Sequence, residues 1–198
     1  MTETPNLLSS KIKITADPEK PESPPHKHVS FYMHYSSFVL KSLQKHSFQK
    51  FLAKMLKKEN IQEHSITEVN VKVFPLRRNN GRGLAGNCNP ARGKIQIYPK
   101  TMTFYQAFKQ KFGKNTFLAY ACSRARAALI HELLHLKYAT DEKRVRKLSQ
   151  KYFFTFTQKK PSHSRLSLLS YTMIFTARQP IFSACLENNG LSAGTTKL

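Results

Sequence analysis

The chain has 198 residues, with 33 Lys and Arg against 11 Asp and Glu, a formal net charge of +22 and three cysteines. That length bounds the fold to one modest hydrophobic core. The charge favours anionic partners such as nucleic acid, anionic surfaces or acidic polypeptides, and three thiols without C-x-x-C spacing argue against a disulfide scaffold and fit a reducing cytoplasm.

Residues 1–30 hold Pro5, Pro18, Pro21, Pro24 and Pro25 among Ser, Thr, Glu and Lys, a composition that predicts a disordered tail. No apolar run follows Met1, so no secretory signal is expected. From about 36 to 59, Val39, Leu40, Leu43, Phe48, Phe51, Leu52, Met55 and Leu56 recur at helical spacing and predict one amphipathic helix. Over 66–74 the pattern alternates, with Val69, Val71 and Val73 on one face and Asn70 and Lys72 on the other, until Pro75 stops it. That is the pattern of a half-buried strand. Residues 83–99 read as two short strands joined by a turn containing Asn89-Pro90, in which Gly83 and Gly86 would permit close backbone approach. A short helix is expected over 102–112 and a longer one from about Asn115 or Thr116.

The longer helix carries the segment that specifies a chemistry, His131-Glu132-Leu133-Leu134-His135. Two imidazoles four residues apart on a helix point the same way and can share one metal ion. The carboxylate of Glu132 lies about 100° further round, off the ligating line but within reach of a water held at the metal. A histidine pair on a helix can also be a merely solvated or hydrogen-bonded face. Here, however, Ala127, Ala128, Leu129 and Ile130 precede it and Leu133, Leu134 and Leu136 run through it, so the polar groups sit in an apolar stripe. Burying them without partners would cost roughly 2–7 kcal/mol each, which a bound cation offsets.

A catalytic zinc takes three protein ligands and keeps one position open. After His135 the conventional ligand types are Asp141, Glu142, His163, Cys185 and Glu187, and only the first two are close in the chain. The helix should end near Ala139 and Thr140, with Thr140 or Asp141 capping a new helix through Arg144, Val145, Leu148 and Tyr152. Glu142 is the expected third ligand because its longer side chain spans a short turn, and Asp141, the better cap, is the alternative. Both acids could instead only complement the helix dipole. Cys88 could approach the metal from the strand loop, although a buried thiol is the expectation there and for Cys122.

These residues, from Ala128 to Leu136 and on to Asp141-Glu142, resemble the zincin metallopeptidases, and within them the gluzincin branch and its small single-domain minigluzincins. The resemblance covers roughly residues 35–154. It implies an α+β fold: a small zincin-like domain whose short sheet has an exposed edge strand, packed on the active-site helix and flanking helices. It also implies Zn2+ on His131, His135 and a glutamate, matched here by Glu142, with Glu132 as general base in peptide hydrolysis and extended substrate paired along the edge strand. Lys137 departs from the pattern, standing where such helices carry a hydrophobic residue. The metzincin continuation is absent, with Tyr138 in place of its glycine and Asp141 in place of its third histidine.

Residues 31–156 are therefore expected to form the domain, and 157–198 a poorly structured tail too short in apolar run for a membrane span. A frameshifted or foreign terminus would also explain the tail's change in character. No acid occurs between Glu68 and Glu132 while twelve Lys or Arg do, so a nucleic-acid partner is weighed beside the peptide or protein substrate. Tyr98, Phe104, Tyr105, Phe108 and Phe112 interleave with lysines and could stack bases, but helical spacing assigns Phe104, Phe108 and Phe112 to the core. The two functional expectations are a cytoplasmic zinc metallopeptidase and, alternatively, a basic nucleic-acid-binding protein with a structural or vestigial metal site. A peptidase held latent by its own termini is a third.

Overall fold

A computed structural model describes residues 7–16, 28–76 and 83–158. In chain order these form α1 (Leu7–Ser10), β1 (Ile12–Thr15), α2 (Val29–Leu43), α3 (His46–Glu59), β2 (Glu68–Lys72), β3 (Gly86–Asn89), β4 (Lys94–Ile97), α4 (Met102–Phe112), α5 (Lys114–Tyr138) and α6 (Glu142–Gln158). The class is α+β, with one four-stranded sheet in the order β1-β2-β4-β3. The first two pairings are parallel and β3 runs antiparallel to β4, with Gly86 opposite Ile97 and Asn89 opposite Lys94.

Three expectations are corrected. Part of the 1–30 tail is structured, because Ile12–Thr15 is a sheet strand paired in register with 69–72. Its alternating Ile12 and Ile14 are short and hidden among prolines, and the partner that orders them lies more than fifty residues away. That partner, β2, is consequently central rather than half-buried: Val69, Asn70, Val71 and Lys72 are all buried. Glu68 bridges its two neighbours, meeting Lys13 of β1 and Lys94 of β4 at 2.8 Å each, and these bonds hold its carboxyl down to about 2.

The third correction is that the single helix over 36–59 is two. Lys45 is extended (φ −55°, ψ 128°) and the chain restarts on its carbonyl, which accepts from the Phe48 and Gln49 amides. The buried Gln49 side chain then donates to the Leu43 carbonyl at 2.7 Å, satisfying the end of α2. An apolar periodicity that runs on unbroken thus serves two axes: α2 packs on α5 and on β1 and β2, and α3 reaches α6.

Other expectations match. The 83–99 segment is two strands joined by a 3-10 turn at Pro90–Arg92, with Gly93 at φ 60°. The helix over 102–112 is α4, capped by Thr101, whose hydroxyl accepts from the Phe104 amide. Phe108 is buried, with Phe104 and Phe112 partly so, as core packing requires. Gly113 (φ 82°) then turns the chain into α5, the helix that touches α2, α4, α6, β3 and β4. The tail expected over 157–198 lies outside the described residues from 159 onward, as do residues 1–6 and 17–27. Among the described residues no helix is long and apolar enough to cross a membrane.

Candidate metal centre

The site forms where α5 ends, α6 begins and β3 passes over both. Ala139 takes a left-handed φ of 42°, an unfavourable conformation for a residue with a side chain, and this tight corner folds α6 back on α5. Asp141 caps α6, its Oδ1 accepting from the Arg144 amide at 3.0 Å. Glu142, the next residue, is thereby released from capping and turns towards the histidines.

Three ligand-type atoms converge. His131 Nε2 and His135 Nε2 are 3.1 Å apart, and Glu142 Oε2 lies 3.5 Å from the first and 3.4 Å from the second. Zinc bonds to nitrogen and oxygen of about 2.0–2.2 Å in a tetrahedron require ligand-to-ligand edges of about 3.3–3.6 Å. The two edges to Glu142 fall in that range, and the His131–His135 edge of 3.1 Å is slightly under it. Among the described residues His131, His135 and Glu142 are the group close enough to hold a metal.

The protons on the rings make the same point. His135 Nδ1 faces the Ala139 carbonyl at 2.5 Å, an acceptor only, so it carries the ring proton. The Ser149 hydroxyl donates to the Val145 carbonyl at 2.7 Å, so towards His131 Nδ1 at 3.3 Å it can only accept. Both rings are thus set with the Nε2 lone pair inward. Burial first, with Arg146 nearby, pushes the His131 pKa down against the pull of Glu142, which keeps the ring neutral. For Glu142, partial burial works to raise its pKa, but the hydrogen bond and charge of Arg146 outweigh it and keep it ionised. Three lone pairs with no donor among them are an arrangement that a cation satisfies.

Arg146, one helical turn beyond Glu142, donates to its Oε1 at 2.9 Å and so leaves Oε2 for the histidines. Glu132 is buried and packs against the backbone of β3, so closely that a Cβ at Gly86 would lie 2.8 Å from its Cγ and Oε1. Gly86 is therefore required by close approach, whereas a Cβ at Gly83 would meet nothing. Cys88 lies in the same wall: burial, then the charge of Glu132, push its thiol up to about 12, so it stays protonated and stands outside the ligand triangle. These groups line an open cleft of about 570 Å³ that Asn87, Pro90, Thr140 and Arg146 complete. A volume of that order takes a few residues of peptide.

The structure brings the sequence-selected His131, His135, Glu142 and Glu132 to one cleft and assigns Asp141 to the cap. Four tyrosines make their contacts away from the cleft: Tyr138 and Tyr152 donate to the Glu59 carboxylate, Tyr98 donates to Gln96, and the Tyr105 ring packs on Phe31 and Phe117. His163, Cys185 and Glu187 lie outside the described residues. Sequence reasoning missed Arg146 and Ser149. Their only signal was spacing, four and seven residues after Glu142, which puts them on its face of α6.

Lys137, the departure from the zincin pattern, donates to the Glu59 carbonyl at 2.5 Å and so closes the C-terminus of α3. Glu59 is only 8% exposed. Burial alone would raise its pKa, but the two tyrosine hydroxyls, then Lys137 and Lys58, hold it low. This anchor ties the end of α5 and the middle of α6 to the end of α3.

No family model, curated protein or solved structure matches this chain.

Proposed function

We propose that the chain is a zinc-dependent peptidase of the zincin type, gluzincin branch, acting in the cytoplasm on extended peptide. The observation that carries this reading is the inward convergence of His131 Nε2, His135 Nε2 and Glu142 Oε2, with Glu132 beside them in an open cleft. These three atoms would hold the zinc. When bound, it supplies a Lewis acid that polarises the scissile carbonyl and acidifies a water.

The chain's own groups do the rest. Glu132 accepts the water's proton at its carboxylate and returns it to the departing amine. Burial against β3 restricts its rotamers and keeps bulk water from competing for that proton. Arg146 has N–H donors beyond the one spent on Glu142 and lines the cleft, so it is the donor to hold the carbonyl oxygen as negative charge grows. β3 ends the sheet, and its outer edge has no strand partner among the described residues. A substrate strand adding there is held by main-chain bonds, which suits a peptide of any sequence.

The test is zinc content and cleavage together. Elemental analysis should find about one zinc per native chain and almost none in His131→Ala. Glu132→Gln should keep the zinc and lose about 10²- to 10⁴-fold in cleavage of an unstructured protein such as casein. Equal, negligible zinc in the native chain and His131→Ala would end the proposal.

A further inference from the structure

Away from the cleft, α3 and α6 lie side by side, joined where the Phe51 ring meets Tyr152 at 6.4 Å and Phe156 at 5.1 Å. Both helices turn exposed lysines outward: Lys50, Lys54 and Lys58 on α3, and Lys143, Lys147 and Lys151 on α6. Spacings of four make each set a stripe along one side of its helix, and the α6 stripe alone is about 12 Å long. None of the six is in an ion pair among the described residues. The acids of these two helices are engaged elsewhere, since Glu59 is buried on two tyrosines, with only Lys58 of the six near enough to act on its charge, and Glu142 is held by Arg146 and turned to the histidines. Each stripe is therefore a row of exposed positive charge, and the acids of its own helix are turned to the interior or to the cleft.

We propose that the exposed lysine stripes of α3 and α6 bind the phosphate backbone of nucleic acid, independently of the metal centre. Three features select that partner. Lysines act as compact point charges suited to phosphates and carry no sequence preference of their own. A membrane surface would require an apolar stripe to insert, and Phe154 is the one large hydrophobic side chain exposed on either helix among the described residues. A folded acidic protein would require an apolar interface centre, which the same shortage withholds.

The experiment measures fluorescence anisotropy of a labelled mixed-sequence DNA duplex with the full chain, over a range of salt. Lys147→Glu with Lys151→Glu should weaken binding at least about 30-fold at moderate salt and lower the salt slope by about two. A control pair with the same charge change, Lys109→Glu with Lys111→Glu on α4, should weaken it less than about threefold. Should the first pair unfold by circular dichroism, Lys147→Gln with Lys151→Gln takes its place, with the salt slope again expected to fall by about two. His131→Ala should bind the duplex as the native chain does. An equal loss in the α4 pair, loss in His131→Ala, or no binding to the duplex overturns the proposal. So does tighter binding, at matched salt, to phosphatidylserine vesicles or to polyglutamate.

Discussion

In the first half of α5, Phe117 and Tyr120 sit among Tyr35, Phe104, Tyr105 and Phe108 with ring centroids 4.6–5.8 Å apart. In the second half the side chains are tied by directed bonds instead: His131 to Ser149, His135 to Ala139, and Lys137 and Tyr138 to Glu59. Ring packing is non-directional and supplies stability by area removed from water. A hydrogen bond contributes less energy but fixes an angle, and the convergence of His131 Nε2, His135 Nε2 and Glu142 Oε2 depends on angles. One helix thus separates the holding of the fold from the aiming of the site.

Phe117 carries the largest share of the packing in the first half. Phe117→Ala empties a fully buried ring from the first half and should cost about 3–5 kcal/mol in denaturant unfolding. Zinc affinity of the remaining folded fraction should not change. An affinity loss as large as the stability loss would mean that the two halves are not separable.

The converse change is Ser149→Ala, which leaves the His131 ring without its orienting acceptor. Zinc affinity, read by competition with a chelator, should fall about 10- to 100-fold, while the unfolding midpoint of the metal-free protein moves far less than in Phe117→Ala. An unaltered affinity would show that packing alone orients the ring.

Gly86→Ala sharpens the comparison at the wall of the cleft. The new Cβ displaces the Glu132 side chain rather than backbone, so the strain should be about 0.5–1.5 kcal/mol. On the proposed function, cleavage of casein should drop with zinc content unchanged, because His131, His135 and Glu142 are untouched and only Glu132 moves.

The smallest effect concerns Glu59 and pH. Its carboxyl is held below the ordinary range in the folded state by the tyrosine hydroxyls and Lys137, so its contribution is full above the unfolded pKa and is lost as pH falls through the folded one. Metal-free protein should therefore lose stability below about pH 4.5, the ordinary carboxylate value. In Glu59→Gln that slope should be shallower, the remainder coming from groups such as Glu68. Parallel pH profiles for the two proteins would remove the anchor's electrostatic role.

What was readable from the chain follows the range of the interactions. The bounds of α4 were legible because Thr101 and Gly113 flank it, and the break before α6 because Asp141 is a good cap. The histidine pair was legible because helical spacing alone puts two rings on one side. By contrast β1 is too short to announce itself, and the division between α2 and α3 depends on Gln49 reaching back to Leu43 from inside the core. Arg146 and Ser149 are ordinary polar residues until α6 is laid against α5.

The sequence by itself determined the chemistry on offer: two imidazoles with a carboxylate on one helix, and two acids directly after it. It did so because those relations span a few residues and are set by backbone periodicity. Which acid faces the histidines, how its second oxygen is occupied and why Glu132 needs a glycine opposite it were decided by the corner at Ala139 and the passage of β3. Those are distances between segments remote in the chain, and only packing sets them.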